Sequence, residues 1–187
     1  MGTYIADFQT FSVGLLVARV VIGLLMAAHG AQKMFGWFGG YGLKATGQFF
    51  EQIGFQPGSA FAGAAAISEI ASGLLVALGF LGPVGPALMI SVMIVAAVTV
   101  HWEHGIIAKN GIELTLLYAT AALALAVTGF GQYSLDAWLG IAGHLPAVDT
   151  WIALTLGIVG GFANVALRRR PAIAQNQMAG ATSADRH

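Results

Sequence analysis

Two charged side chains stand inside long apolar runs and are the first candidates for chemistry: Arg19, in the run from about Ser12 to Phe35, and Glu69, in the run from about Ala60 to Leu81. An ionised group near the centre of a bilayer costs about 2.5 to 3.5 kcal/mol on insertion scales, so it is normally paired or faces a polar cavity. Arg19, Gly23, Met26, Gly30 and Lys33 share one helical stripe, and Ala62, Ala66, Glu69, Gly73 and Ala77 share another. Small residues let helices approach closely in lipid. The stripes therefore predict that these two helices pack together and that Arg19 and Glu69 form an ion pair. Such a pair either locks helix register or shapes a polar cavity that binds a head group or relays protons.

A second polar group gathers where runs end. His29, Gln32 and Lys33 come level with His101, Glu103, His104, Lys109, Asn110 and Glu113 if consecutive spans reverse direction. His29 and Lys33 are four apart, on one helical face, and can address a single ligand. Histidine titrates near neutrality, which suits proton transfer. His101 and His104 are three apart, a spacing that permits two metal ligands but specifies no metal. His29 and His101, from different helices, offer an alternative as axial ligands of a b-type haem. Asn110, Gly111 and Glu113 also read as a helix start with a carboxylate in its first turn, which needs no ligand. The candidate catalytic groups are thus Arg19, Glu69, His29 and Glu113. The candidate cofactor contacts are Lys33, His101 and Asn110, and no metal site is expected.

The elements that must position these groups are membrane spans. Of 187 residues, 57% are hydrophobic and 9% charged, against roughly 25% charged in ordinary soluble domains. Four runs approach the roughly 20 residues needed to cross hydrocarbon: Ser12 to Phe35, Ala60 to Leu81, Val84 to His101 and Gly111 to Phe130. A fifth, Trp151 to Leu167, is shorter but carries Trp151 at one end and Arg168, Arg169 and Arg170 at the other as interfacial anchors. The expectation is an all-α integral membrane bundle forming a single domain over 1–187. It has a four-helix core over 12–131, an extra span over 151–167 and a flexible tail over 171–187. Gly82, Pro83, Gly85 and Pro86 force a tight reversal between the second and third runs. Leu43, Phe49, Phe50 and Ile53, at helical spacing beside Lys44, Gln48, Glu51 and Gln52, predict a short interfacial helix.

Lys33, Lys44, Lys109 and Arg168 to Arg170 fall on one side of a five-span arrangement, so the N-terminus is expected outside and the C-terminus in the cytoplasm. Before Arg19 there is no lysine or arginine, so the first run reads as a retained helix rather than a signal peptide. The absence of cysteine removes thiolate metal sites, iron–sulfur clusters and c-type haem attachment. Redox chemistry would need a borrowed cofactor. A net charge of zero and a single basic run give nucleic-acid binding little support.

Arg19, then His29, Gly30 and Lys33 at the end of the first span, Glu69 with Gly73 in the second, and Asn110, Gly111 and Glu113 opening the fourth resemble the DoxX family, over about Gly14 to Phe130. The fifth span departs from that family's usual four-helix pattern. The resemblance implies a small bacterial inner-membrane protein of a family named after a subunit of a thiosulfate:quinone oxidoreductase, working with soluble or membrane redox partner proteins. With that resemblance the leading expectation is a quinone-interacting subunit of a membrane oxidoreductase. In it Arg19 and Glu69 shape the pocket, and His29, Lys33, His101 and Glu113 supply hydrogen bonds and protons. The alternatives are a transporter of a small molecule or lipid, with Arg19 as anion contact, and a non-catalytic scaffold for a soluble redox partner.

Overall fold

A computed structural model describes residues 2–142 and 146–169, so Arg170 and the tail expected over 171–187 lie outside the described residues. The chain folds as α1 (Gly2–Phe35), a 3-10 turn (Trp37–Gly39), α2 (Gly42–Gln52), α3 (Gly58–Leu78) and α4 (Val84–Ala96). It continues through α5 (Glu113–Thr128), α6 (Leu135–Trp138) and α7 (Ala147–Ala166). No strand occurs among the described residues. The α4 helix runs on through a π-turn, Ala97–His101, into a 3-10 turn, Trp102–His104.

Glycines decide how these rods pack. A Cβ on Gly23 would come within 2.6 Å of the Ala77 nitrogen, and one on Gly30 within 2.7 Å of Ile70 Cγ1, so the α1 and α3 backbones touch along the small-residue stripes. On α7, Gly157 lies against the Ala87 backbone and Gly161 against Ser91 of α4. Helix α3 packs between α1 and α4, and α4 packs also on α5 and α7. The shared core joins Met26, Val76, Met89, Met93, Tyr118, Leu125 and Leu154. Large apolar side chains stay exposed on the outward faces: Val21 and Leu25 of α1, Leu117 and Val127 of α5, Leu156 and Phe162 of α7. In water that surface would be a liability, whereas in lipid it is the solvated face.

Helices α1, α3, the continued α4 (Val84–His104) and α7 are long and apolar enough to cross a membrane. The expected ranking of the last two spans is reversed: α7 has 20 residues, whereas α5 has 16. The fourth run loses its ends to backbone geometry, because Asn110 (φ 67°) and Gly129 (φ 75°) adopt left-handed conformations that a helix cannot continue through. Helix α2 forms as predicted, with Thr46, Gly47 and Phe50 turned inward.

Arg168 and Arg169 show which end of α7 lies where. The Arg169 N–H donates to Gly54 O at 2.8 Å and Arg168 Nε donates to Ile53 O, tying the end of α7 to the α2–α3 connection. Hence the C-terminal ends of α1, α4 and α7 and the start of α3 share one face, called here the lysine face. The tight turn at Gly79–Pro83 and the α6 segment share the opposite face. Exposed Trp37, Tyr41 and Trp102 ring the lysine face and Tyr133, Trp138 and Trp151 the other, matching the two aromatic belts of membrane proteins.

Candidate functional site

Arg19 and Glu69 do not pair. The small-residue contacts set a register in which Gly23 opposes Gly73 and Ala77 and Gly30 opposes Ala66, which brings Arg19 to the end of α3. Ala77 is eight residues beyond Glu69, roughly 12 Å along the helix at 1.5 Å per residue. At that end the last helical carbonyls lack partners and carry partial negative charge. The guanidinium takes that role: one terminal nitrogen donates to Ala77 O and the other to Tyr133 O at 2.5 Å, with Arg19 only 2% exposed.

The same turn is held from the other side by Asp136. Its carboxylate accepts from the N–H groups of Leu81 (2.9 Å) and Gly82 (2.7 Å), both in left-handed conformations that aim successive N–H groups at one anion. A cavity of about 320 Å³ lies beside it, lined in part by Asp136, Ser134 and Trp151. Arg19 and Asp136 thus close a structural clasp joining α1, the α3–α4 turn and the α5–α7 connection.

Glu69 instead pairs with Lys33. Lys33 Nζ donates to both carboxylate oxygens, at 2.6 and 2.9 Å; the lysine side chain is 30% exposed and the glutamate 3%. Lys33 lies nearer the lysine face than Glu69, and its four-carbon stem spans the difference. Both line a cavity of about 600 Å³ bounded by α1, α2, α3, the continued α4 and one residue of α7, Asn164. Phe49, Phe50, Phe55 and Phe61 form an aromatic wall, with centroids 5.0 Å apart for Phe55–Phe61 and 5.7 Å for Phe50–Phe55. Ser68, Ser91 and Thr99 add hydroxyls, that of Thr99 already donating to Val95 O at 2.8 Å.

His101 reaches the cavity from the π-turn, a helical irregularity frequent at functional sites. Its Nδ1 lies 2.7 Å from Asn110 O. A carbonyl can only accept, so Nδ1 carries the proton in that bond and Nε2 is left for a ligand or a second proton. Asn110 therefore acts through its backbone, orienting His101, and is not part of the lining. His29 Nδ1 lies 3.2 Å from Gln32 Oε1 while Gln32 Nε2 donates to Phe38 O, and the His29 ring meets Tyr118 edge-on. Glu113 opens α5 on an exposed turn, away from the cavity lining. No group of three or more metal-ligating side chains occurs among the described residues.

Of the seven candidates, then, the cavity gathers Glu69, Lys33 and His101. His29 stands behind them in the bundle, and Arg19, Asn110 and Glu113 lie elsewhere. The hydroxyls, the aromatic wall as a unit and Asn164 escaped the sequence reading. Asn164 left one signal, a carboxamide inside the apolar run 151–167.

The DoxX family model matches residues 14–102. A Bacillus subtilis (strain 168) protein named "Putative oxidoreductase CatD" is 30% identical over 128 residues, covering 68% of this chain and 88% of that protein. No solved structure matches the chain at a significant level.

Proposed function

Since this chain belongs to the DoxX family and is a multi-pass membrane protein, we propose that it binds a quinone in the cavity at Lys33 and Glu69 and serves as the quinone-handling subunit of a membrane oxidoreductase. The observation that carries this reading is a lysine–glutamate ion pair, its carboxylate buried, on the wall of a mainly apolar and aromatic cavity of about 600 Å³ inside the spans. A quinone exchanges two electrons and two protons at its ring oxygens. Its flat ring suits the Phe50–Phe55–Phe61 wall, where offset and tilted aromatic contacts are favourable, and its oxygens need donors that a dry pocket otherwise lacks.

In this reading Lys33 Nζ presents its ammonium toward a ring oxygen, and Glu69, which accepts from it at 2.6 and 2.9 Å, holds it in place. His101, with Nδ1 fixed on Asn110 O, offers Nε2 as a proton donor or acceptor at the mouth near the lysine face. The aromatic wall and α2 exclude water. In this reading electrons come from a partner redox protein, and without cysteine the chain has no thiolate-ligated centre of its own. The relative's oxidoreductase name agrees with this class of activity. In this reading the lysine face lies on the cytoplasmic side of a bacterial inner membrane and the N-terminus outside, a reading supported by the positive charges gathered on that face. An anion-transport role for Arg19 has less support, because both its terminal nitrogens are engaged by carbonyls.

Organic extraction of the purified protein, together with titration of a short-chain quinone followed by tryptophan fluorescence, tests the proposal. Copurified or titratable quinone whose affinity falls at least tenfold in Lys33→Met is the expected result. Absence of quinone binding, or wild-type affinity in both Lys33→Met and Glu69→Leu, would reject it.

A further inference from the structure

Asn164 is the one residue that α7 contributes to the cavity lining, and α7 lies outside the segment the family model matches. Its depth follows from packing. Gly157 against Ala87 and Gly161 against Ser91 make α4 and α7 run in step with a constant offset of 70 positions, so Asn164 stands level with Ile94. Gly85 against Leu75 and Val76 sets the antiparallel register of α3 and α4, which brings Glu69 level with Ser91 and Val92. The two therefore differ in depth by two to three residues, roughly 3 to 5 Å. They approach from different helices, α3 and α7, that both flank α4. Asn164 also follows Gly161 by three positions and so keeps to the face turned toward α4.

The carboxamide has no hydrogen-bond partner among the described residues, whereas the backbone carbonyl accepts from the Leu167 N–H. Asn164 is half-buried, and a ligand in the cavity can supply the partner that its carboxamide lacks.

We infer that Asn164 is the second polar anchor of the cavity, so that the site selects a flat ligand with oxygens at both ends, a para-dione and its hydroquinone, over one with a single polar head. This rests on the quinone reading above. Lys33 holds one oxygen and Asn164 the other, with the ring lying along the aromatic wall. A carboxamide suits both redox states: its NH2 donates to a carbonyl, and its Oδ1 accepts from the hydroxyl that replaces that carbonyl after two electrons and two protons are added.

The test compares a short-chain 1,4-naphthoquinone with the matching ketone that lacks the second carbonyl, in the full-length protein in detergent. Wild type is expected to prefer the dione about three- to tenfold, the range of one neutral hydrogen bond. Asn164→Leu and Asn164→Ala are expected to lose that preference while binding the ketone as wild type does. Lys33→Met weakens both ligands. A dione preference that survives in both Asn164 variants overturns the inference and leaves the quinone reading standing. Failure of wild type to bind either compound overturns both.

Discussion

Removing the two halves of the Lys33–Glu69 pair should have unequal consequences, and the inequality can be worked from exposure. Lys33→Met leaves a carboxylate that is 3% exposed without its cation. Breaking a buried pair in that way costs about 3 to 5 kcal/mol, because the survivor can neither be solvated nor paired. Glu69→Leu leaves an ammonium on a stem already 30% exposed, which can swing toward the cavity mouth and reach water; the loss should be about 1 kcal/mol, as for a solvent-accessible pair. The Lys33→Met/Glu69→Leu double variant removes both charges and should return near wild-type stability. The coupling is then about 4 to 6 kcal/mol, above the roughly 0.5 to 3 kcal/mol usual for contacting residues, as expected when the surviving partner is a buried charge. Unfolding in mild detergent against added denaturing surfactant, followed by tryptophan fluorescence, gives the order wild type and double variant, then Glu69→Leu, then Lys33→Met. The double variant, though folded, should bind no quinone, which separates stability from function. Equal single losses that simply add in the double variant would refute the assignment of this pair as a buried, mutually dependent unit.

Arg19→Met should lower stability by about 2 to 6 kcal/mol, since two part-buried carbonyls, Ala77 O and Tyr133 O, lose their donor at about 1 to 3 kcal/mol each, yet leave quinone affinity unchanged in whatever protein folds. Exchanging the charges as Arg19→Glu with Glu69→Arg should fail to rescue, and recovery of wild-type stability would contradict the register described for α1 and α3. Gly73→Val should separate α1 from α3, because a Cβ there meets the Ala27 nitrogen at 2.5 Å; a thermal midpoint equal to wild type would disprove that close approach. The chain has no cysteine, so single cysteines report sidedness cleanly. Lys44→Cys, Lys109→Cys and Arg169→Cys should react with an impermeant maleimide from one side of sealed vesicles and Trp138→Cys from the other, and labelling of Arg169→Cys together with Trp138→Cys would exclude five crossings.

The apolar runs and the two glycine-bearing stripes were enough to identify a helical membrane bundle and to pair its first two long helices, because in lipid the choice of partner face is dictated by where small residues recur. The amphipathic pattern around Phe49 and Phe50 likewise revealed α2, and the clustering of lysine and arginine at alternate loops predicts an odd number of crossings. Composition alone, with no cysteine among 187 residues, ruled out an intrinsic thiolate-bound redox centre.

What sequence could not supply was axial register. Depth within a run, estimated from its ends, set Arg19 near Glu69, but the actual helices begin and end where backbone conformation permits, and the glycine contacts slide α1 along α3 until Arg19 caps a helix terminus. Glu69 was then free for Lys33. The π-turn that delivers His101 and the parallel packing that delivers Asn164 arise the same way. Each depends on contacts between segments distant in the chain, whose residues are ordinary apart from the neighbours they meet. Periodicity therefore determined which faces carry polar groups. Only the packed backbones decided which polar groups share a cavity, because a shift of one helical turn moves a side chain by about 5.4 Å and exchanges its partners.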